Sequence, residues 1–487
     1  MEPLTWSGAL GPILNPIMLA AIVVFALGFV SNFILNLVGV RAGEMQVNPD
    51  HTLTFDRTPV DYALMAMKYA VLPFVACCAA YIVGGMVLPT LEAKGIIGGM
   101  AARLTPVWIS LAVVFVASIY FKRKLGLYGK LFDSPIGMVG FGLVMFWIFA
   151  AAFAGVVATH GPIDVISQMR NEVPGTAVPS PEDGEYLYYL LGGDNLGRDV
   201  FSRMIYGAQE VLKITPAATL FAFMVGVTLG LPAGYFGGKL DTTITFIANL
   251  ALAFPVILLF FLLVTPEIVA AGVPQYMSMV LFIFPILFFV VLFNSRYHTQ
   301  APKRNLLVGI TLVVGLIAYF SLISNRDDPD LPGLFRIWPE ALDLFDIQGN
   351  LLIVFVSVVF VNSPTVFRIV RGIVLDIKTR DYVAAGQTRG EGPWYIMLWE
   401  ILPNARGPLI VDFCLRIGYT TILLGTLGFF GLGVSPESPD WGSTINEGRR
   451  LLTIYPHPAL PPALALMSLV LGLNLLADGL REESLKD

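Results

Sequence analysis

The sequence contains little cysteine and little histidine, and each shortage excludes a class of site. Only 3 of the 487 residues are cysteine. Cys77 and Cys78 are adjacent in one apolar run and Cys414 lies in another, which argues against a disulfide framework or a thiolate metal site. The four histidines are widely separated and lack the spacing of metal ligands, which argues against a zinc or heme centre.

Two motifs that mark chemistry in other proteins are also missing. No G-x-x-x-x-G-K-[ST] segment is present, so the chain lacks the phosphate-binding loop of an ATPase. No Gly-x-Ser-x-Gly segment is present, and no nucleophile has a base at a suitable spacing. We therefore expect a protein that is not an enzyme and that binds no metal or cofactor of its own.

Charged residues make up only 13% of the chain, whereas hydrophobic residues make up 56%. Many apolar stretches approach the roughly 20 residues that an α-helix needs to cross a bilayer. Within hydrocarbon every backbone polar group must be bonded inside the protein, so these stretches are predicted to be helices. The predicted fold class is an all-α polytopic membrane protein in contact with a lipid bilayer. Its basic residues gather in short loops, which argues against nucleic-acid binding.

Hydropathy windows predict about eleven membrane spans. They cover residues 14–38, 62–88, 104–121, 136–159, 211–235, 242–264, 277–294, 305–323, 350–371, 408–428 and 459–479. Lysine and arginine collect in the cytoplasmic loops of membrane proteins. Lys122, Arg123, Lys124 and Lys130 therefore place the loop after the third span in the cytoplasm. Alternation from this loop puts the N-terminus outside and the C-terminus in the cytoplasm.

The loop of residues 160–205 is rich in proline, glycine and acidic residues, and we expect a surface segment rather than a folded domain. It ends in the sequence GDNLGRDVFSRMIYG. The apolar residues of 200–205 predict a short amphipathic helix at the membrane interface, with Arg198, Asp199 and Arg203 on its polar side. A simple lead-in helix and a specific contact site both fit this pattern. The candidate site residues of this outer motif are Gly193, Asp194, Gly197, Arg198 and Asp199.

The most informative stretch is a polar interruption between two long apolar runs, DYVAAGQTRGEGPWYIMLWEILPNARGPLIV. Residues 381–389 favour a helix, and the glycines and proline of 390–393 break it. A helical pattern resumes over 394–402 and is predicted to end at Pro403 and Asn404. The sequence therefore predicts a helix-turn-helix that lies outside the bilayer.

The two predicted helices of this loop differ in character. Small residues at Ala384, Ala385 and Gly386 allow the backbone of another protein to approach closely. The second helix carries apolar residues that are expected to hold it against the membrane helices: Trp394, Ile396, Met397, Trp399 and Ile401. An ordinary connecting loop with an interfacial helix fits the same residues equally well.

The stretch AAGQTRGEGPWYIMLWEILPNA resembles the EAA loop of the permease subunits of binding-protein-dependent ABC importers. Three signature positions are occupied by Ala384, Ala385 and Gly386, and the fixed glycine, isoleucine and proline correspond to Gly390, Ile401 and Pro403. Two further segments, GDNLGRDVFSRMIYGA and GFFGLGVSPESPDWGSTINEG, resemble the branch of this family associated with dipeptides, oligopeptides and nickel. Three separate motifs occur in the order that the family has.

This resemblance implies a type I ABC importer permease core of six transmembrane helices, to which this chain adds about five helices. The implied divisions are N-terminal extra helices at 1–135, the first half of the core at 136–264 with the outer loop 160–205, an inserted helical hairpin with an acidic outer loop at 265–349, and the second half of the core at 350–487 with the coupling loop 381–404. The two inserted spans are those at 277–294 and 305–323.

The resemblance also implies partners. They are a homologous second permease, two ATP-binding subunits that use ATP and Mg²⁺, and an external solute-binding protein that delivers a peptide. The implied location is the bacterial cytoplasmic (inner) membrane. Ala384 departs from the family, which usually has a glutamate at this position. The ion pair that this glutamate would form with an ATPase subunit is therefore absent, unless Asp381 or Glu391 supplies the carboxylate.

Three alternatives remain open from the sequence. The substrate could be nickel or another small solute instead of a peptide. An ion-gradient secondary transporter needs ionisable groups at mid-bilayer, and the predicted spans are almost free of central charges. A non-transporting assembly subunit also fits a chain that has lost the signature glutamate.

Overall fold

The computed structural model describes most of the chain, and the described residues are mainly helical. Their ranges are 3–43, 45–47, 53–55, 57–179, 181, 184–324, 333–336, 338–342, 349–432 and 438–484. Most of the acidic outer loop that the sequence predicts within 265–349 lies outside these ranges.

Twenty α-helices occur in the described residues. The first ten are α1 Gly11–Leu37, α2 Pro59–Val87, α3 Leu91–Arg103, α4 Thr105–Phe121, α5 Gly126–Lys130, α6 Pro135–Ala152, α7 Ala154–Val157, α8 Val200–Phe236, α9 Gly238–Ala253 and α10 Val256–Val264. The others are α11 Pro266–Ala270, α12 Val273–Leu281, α13 Ile283–Arg296, α14 Ala301–Ile323, α15 Gly349–Ile377, α16 Asp381–Thr388, α17 Pro393–Tyr395, α18 Arg406–Phe429, α19 Trp441–Arg449 and α20 Leu460–Ser484.

Short elements complete the described structure. Strand β1 Met45–Val47 pairs with β2 Leu53–Phe55, and β3 Thr176–Ala177 pairs with β4 Tyr188–Tyr189, both antiparallel. A π-helix, Ile396–Ile401, and a 3₁₀-helix, Leu402–Ala405, join α17 to α18. The remaining 3₁₀-helices are Gly8–Leu10, Lys122–Lys124, Leu131–Asp133, Ser167–Met169, Gly333–Arg336 and Glu340–Leu342.

Ten helices of the described residues are long and apolar enough to cross a membrane, or up to eleven if one bent pair is a single span. The predicted set of about eleven spans is therefore confirmed, and the chain is a multi-pass membrane protein. The prediction of one continuous helix at 242–264 is wrong, because α9 and α10 meet at a bend of 77°. Phe254 and Pro255 have extended backbones at the bend, since proline donates no amide hydrogen and disfavours a helical residue before it.

The chain forms two compact units. The first contains Met1–Trp108 and Val156–Phe201, and the second contains Ile109–Gly155 and Ser202–Asp487. In the first unit α1 packs along α2, where the Tyr81 hydroxyl donates a hydrogen bond of 2.6 Å to Oδ1 of Asn15.

The outer segment of the first unit corrects the prediction of an exposed surface loop. β3 and β4 form a hairpin there, and Tyr189 and Leu190 are fully buried. Gly99 of α3 lies so close to Leu190 that an added Cβ would come within 2.9 Å of its side chain. The apolar residues between the acidic ones therefore build a packed segment, which its proline and glycine content conceals.

Close helix packing organises the second unit. Three glycines at four-residue spacing on α8 meet three valines at the same spacing on α15. The pairs are Gly226 with Val366, Gly230 with Val370 and Gly234 with Val374, where an added Cβ would lie 2.5 to 2.8 Å from the valine side chain. Small residues in a helical stripe allow helix backbones to approach and gain dispersion contacts, which drive helix association in lipid. Helix α6 packs on α20 in a similar way, through Gly140 and Gly472.

Candidate functional site

Helix α16 presents two different faces. Val383 and Gly386 are buried, and their three-residue spacing places them on one side of the helix. Asp381, Ala384 and Ala385 are exposed on the rest of its surface. The helix therefore keeps one face against the protein and leaves a face with small side chains accessible to another molecule.

The turn after α16 is built as the sequence predicts. Gly390 has a φ of 78°, a left-handed backbone that glycine adopts without steric cost. Glu391 is half-buried and Pro393 begins the next helix. The guanidinium of Arg389 lies 2.6 Å from Oε1 of Glu400, so an ion pair links the two sides of the turn.

The second loop helix, residues 393–405, differs from the prediction at its end. Pro403 and Asn404 do not terminate it, because the π-helix is followed by a 3₁₀-turn that continues directly into α18. Pro403 lies in the first turn of this 3₁₀-helix, where a missing amide hydrogen removes no internal hydrogen bond. The prediction that Trp394 packs inward is also wrong, since 41% of its surface is exposed at the start of the helix.

The other apolar residues of the second loop helix are buried as predicted. Ile396, Met397 and Ile401 are at most 1% exposed. They share one hydrophobic cluster with Val383 of α16 and with residues of two membrane helices. Those residues are Phe223, Val227 and Leu231 of α8, and Val366, Val370, Val374 and Ile377 of α15. The loop is thereby joined to the two helices that pack most closely through the glycine stripe.

Polar contacts reinforce the same junction. Arg371 of α15 forms a bidentate ion pair with Asp241 of α9, with 2.6 Å between one guanidinium nitrogen and Oδ2. Lys378 donates to the carbonyl oxygen of Gly234 at 2.9 Å. Asp412 and Arg416 form the ion pair on α18 that their four-residue spacing predicts, at 3.2 Å. These charges hold neighbouring segments together at one end of the helices.

The outer motif folds around the Asp194 carboxylate in the first unit. Oδ1 accepts hydrogen bonds from the backbone amides of Leu196 and Arg198, and Oδ2 lies 2.6 Å from the guanidinium of Arg198. Gly197 has a φ of 88°, and an added Cβ would come within 2.2 Å of a carbonyl oxygen. Gly193 is equally confined, with the carbonyl oxygen of Met169 at 1.8 Å from an added Cβ.

The prediction of an interfacial amphipathic helix at 200–205 is therefore wrong. Arg198, Asp199 and Arg203 are at most 3% exposed, and Val200 begins the 37-residue helix α8. The Asp199 carboxylate accepts a hydrogen bond of 2.6 Å from the Thr159 hydroxyl and lies 3.6 Å from the His160 ring. Helical periodicity predicts that charged side chains lie on a solvent-exposed face of a helix. It cannot reveal partners that lie far away in the sequence.

Two tyrosines border this buried polar region. The His160 ring meets the Tyr189 ring edge-on at a centroid distance of 4.7 Å. Burial raises the pKa of Tyr186 to about 12, and it also raises the pKa of Tyr189. Both phenols therefore keep their protons at neutral pH, and the Tyr189 hydroxyl donates a hydrogen bond of 3.2 Å to the carbonyl oxygen of Gly197.

Arg203 connects two of the sequence motifs within the second unit. Its guanidinium donates to the Thr444 hydroxyl and to the carbonyl oxygen of Ser438, each at 3.1 Å. The indole of Trp441 donates to the carbonyl oxygen of Met204 at 2.8 Å. Residues 203 and 204 thus contact the segment that begins at 428, a contact that the sequence alone does not show. Residues 433–437 of that segment lie outside the described residues.

Asp440 caps the helix that carries this contact. Its carboxylate accepts hydrogen bonds from the backbone amides of Gly442 and Ser443 at the start of α19. Burial raises the pKa of Asp440, and these amides together with Arg203 act in the opposite direction. The role of Asp440 has a sequence signal, since aspartate followed by a helical segment is a common N-cap pattern.

Known proteins resemble this chain over most of its second unit. Residues 226–482 match the family described as "Binding-protein-dependent transport system inner membrane component". The chain is 30% identical over 301 residues to "Glutathione transport system permease protein GsiD" of Pectobacterium atrosepticum, covering 62% of this chain and 73% of that relative.

A second relative is "Dipeptide transport system permease protein DppC" of Haemophilus influenzae. The identity is 28% over 364 residues, which cover 74% of this chain and 91% of that relative. The region that matches the family, residues 226–482, contains α16, the second loop helix and the residues of α19 that contact Arg203. The chain therefore belongs to the family of inner-membrane permease components of binding-protein-dependent transport systems.

Proposed function

We propose that this chain is the permease subunit of an ATP-driven importer and forms, with a homologous second permease, a translocation path for peptides. An external solute-binding protein delivers the peptide. Two cytoplasmic subunits bind ATP and Mg²⁺ and supply the energy, and the permease itself has no ATPase site. The membrane is the bacterial cytoplasmic membrane, with the N-terminus outside and the C-terminus in the cytoplasm.

One structural observation carries the coupling part of this proposal. The exposed face of α16 offers Ala384 and Ala385 to a partner, while Val383 on its other face belongs to the cluster shared with α8 and α15. A partner that pushes on α16 therefore moves a packed junction of membrane helices, because close-packed interiors transmit displacement. Alternating access of the path across the bilayer follows from tilting of these helices.

The residues proposed to couple the permease to the ATPase subunits lie in two groups. The first group contacts the partner or gives the loop its shape: Asp381, Ala384, Ala385, Gly386, Gly390 and Glu391. The second group anchors the loop to the membrane helices through Ile401 and Pro403. Asp381 is exposed and Glu391 is half-buried, so Asp381 is better placed to replace the carboxylate that is missing at Ala384.

The peptide substrate is proposed from the names of the relatives. GsiD is named as a glutathione permease and DppC as a dipeptide permease, and glutathione is itself a small peptide. The lining of a peptide path needs apolar surface with few fixed charges in order to accept different side chains. The described helices that could cross the membrane are strongly apolar, which fits this requirement.

The test is reconstitution of the chain with its second permease and ATPase subunits in lipid vesicles. We expect ATP hydrolysis to rise when a peptide-loaded binding protein is added, and labelled peptide to accumulate inside. Gly390→Trp and Ala385→Arg are expected to abolish both signals while the complex still assembles. Unchanged hydrolysis and uptake in these two variants would refute the coupling role of the loop. Uptake of a metal ion or a protonated solute without ATP would refute the proposed function.

A further inference from the structure

Of the two helices inserted into the six-helix core, the first contacts the coupling loop and the second packs against the first. They are α13 and α14, which correspond to the spans predicted at 277–294 and 305–323. We propose that α13 fixes the position of the second loop helix, so that movement of α16 is passed to the membrane helices instead of being lost in local bending. This inference rests on the proposed function, because it assigns the inserted helices a part in coupling.

Polar contacts join the C-terminal end of α13 to the second loop helix. The guanidinium of Arg296 lies over the ring of Trp399, 4.4 Å from its centroid. The indole Nε1 of Trp399 donates a hydrogen bond of 3.2 Å to Oγ of Ser295. Ser295 is 7% exposed and donates its own hydroxyl hydrogen to the carbonyl oxygen of Leu292 at 3.0 Å. Its oxygen is therefore held in the orientation that accepts from Trp399.

Apolar contacts extend this surface along α13. Phe288, Val291 and Leu292 pack against the hydrophobic cluster that contains Met397 and Ile401. At the end of the helix the His298 ring meets the Tyr395 ring edge-on, with 5.7 Å between their centroids. His298 follows the end of α13, and the contacts of α13 itself run from Phe288 to Arg296, so the α13 contact surface is about two helical turns long.

The second loop helix is consequently held on two sides. Tyr395 and Trp399 are four residues apart and both face α13, whereas Met397 and Ile401 belong to the cluster with α8 and α15. Four-residue spacing places side chains on the same face of a helix. A helix held on one side only can rotate about that contact, and a second contact removes this freedom.

The π-helical geometry of residues 396–401 makes such support relevant. A π-helix is a rare conformation, and it occurs frequently at functional sites. Here it includes Trp399, the residue that bonds to α13, and Glu400, which pairs with Arg389 at the end of α16. The α13 contacts and the link to α16 therefore converge on two consecutive residues of one unusual turn.

Helix α14 supports α13 from behind. Gly315 of α14 lies against Ile286 of α13, with 3.1 Å between an added Cβ and that side chain. The hydroxyl of Tyr319 also donates to the carbonyl oxygen of Met279 at 2.9 Å, which joins α14 to α12, the helix directly before α13. The inserted helices form a packed pair, so α13 offers the loop a supported surface instead of a single isolated helix.

Two variants separate this role from simple packing. Arg296→Ala removes the cation above Trp399, and Arg296→Lys keeps a cation that can lie over the ring. The matched control is Arg304→Ala, which removes a charge of the same sign from the start of α14, where the guanidinium contacts only the neighbouring Asn305 among the residues described. Hydrogen exchange of the backbone amides of 394–401 is measured on the purified full-length chain. Peptide transported per ATP is measured on the complete transporter in vesicles.

We expect Arg296→Ala to accelerate exchange at 394–401 about threefold or more, because loss of the cation–π contact lets this segment open more often, and to lower transport per ATP. Arg296→Lys is expected to restore part of both values, and Arg304→Ala to match the wild type. If Arg296→Ala does not accumulate, Trp399→Phe keeps an aromatic ring and removes the hydrogen bond to Ser295, and exchange is again expected to rise.

Two results would overturn the inference. One is equal exchange at 394–401 in Arg296→Ala, Trp399→Phe and the wild type. The other is equal transport per ATP in Arg296→Ala and Arg304→Ala. Failure of the proposed function is distinguishable, because it appears as a wild-type complex without peptide-stimulated ATP hydrolysis, whereas the exchange measurement needs no partner subunit.

Discussion

The guanidinium of Arg203 donates a hydrogen bond to the hydroxyl of Thr444 at 3.1 Å, although 241 positions separate the two residues. Glu447, one turn further along α19, lies 3.7 Å from the same guanidinium. The start of α8 is thereby fixed to the helix that precedes the last membrane span. The start of α8 and α19 thus meet through a fully buried cation.

Replacement of Arg203 tests this connection. Arg203→Met keeps the length of the side chain and removes the charge, which leaves the Glu447 carboxylate and the Ser438 carbonyl without this partner. Removing one member of a buried ion pair costs about 3 kcal/mol or more. We expect a clear fall in the unfolding temperature of the detergent-purified chain, measured by intrinsic fluorescence.

The control is Lys213→Met on the same helix, where the ion pair with Glu210 is exposed and contributes less than about 1 kcal/mol. Equal melting of the two variants would contradict the role of Arg203.

Gly197 and Gly184 provide a matched test of the outer motif. Both have a positive φ, 88° and 96°, so an alanine at either position meets the same backbone strain. Only at Gly197 would the new Cβ also collide with a carbonyl oxygen, that of Ile166 at 2.2 Å, because Gly184 has open space around it. We expect Gly197→Ala to increase proteolysis of the 160–199 segment strongly, and Gly184→Ala to change it little. Similar proteolysis of the two variants would show that the close approach at Gly197 is unimportant.

Asp440 gives a prediction for the dependence of stability on pH. Burial raises its pKa in the folded chain, so the folded state binds a proton more tightly than the unfolded state. The stability that protonated Asp440 contributes is therefore fully present below the pKa that the group has in the unfolded chain. This stability is lost as pH rises through the pKa of the group in the folded chain. Asp440→Asn keeps an oxygen for the amides of Gly442 and Ser443 and cannot ionise. We expect the variant to gain stability relative to the wild type as pH is raised above the unfolded pKa of about 4. A constant difference in unfolding temperature over this range would contradict the raised pKa.

Ala384→Glu tests the departure from the family signature. Ala384 is exposed on α16, so the longer side chain meets no obstacle within the chain and reaches toward the proposed ATPase subunit. A new ion pair at a protein interface increases affinity about threefold to tenfold in favourable cases. We expect tighter retention of the ATPase subunits during purification, measured by dissociation at rising salt. Ala384→Gln, which is similar in size to glutamate and uncharged, serves as the control, and Asp381→Asn is expected to weaken retention. Retention that is unaffected by Ala384→Glu and Asp381→Asn alike would argue against α16 as the contact.

The membrane architecture was predictable because span length and apolar composition are local properties of the sequence. Most of the predicted spans and the turn after α16 appear where hydropathy and glycine place them, and Gly390 of that turn has a left-handed backbone. The bend at Pro255 has a local cause as well. It was missed because a window average over 242–264 conceals a single interruption.

The burial of Arg198, Asp199 and Arg203 was not predictable by the same means. Asp199 and Arg203 are buried with partners from distant sequence, Thr159 and Thr444, whereas Arg198 pairs with Asp194 four residues before it. Periodicity identifies the face of a helix but not what covers that face. The contact of α13 with Trp399 is hidden for the same reason, since it joins residues 104 positions apart.

Cross-linking from α16 tests the central claim most directly. A cysteine at Ala385, in a chain whose three native cysteines are replaced by serine or alanine, is treated with a short thiol-reactive cross-linker in the assembled transporter. The account predicts a covalent adduct with a nucleotide-hydrolysing subunit, and no such adduct from a cysteine at Glu185 in the outer segment. An Ala385→Cys chain that reacts only with a membrane-impermeant reagent from outside, or that cross-links to no nucleotide-hydrolysing subunit, would contradict it.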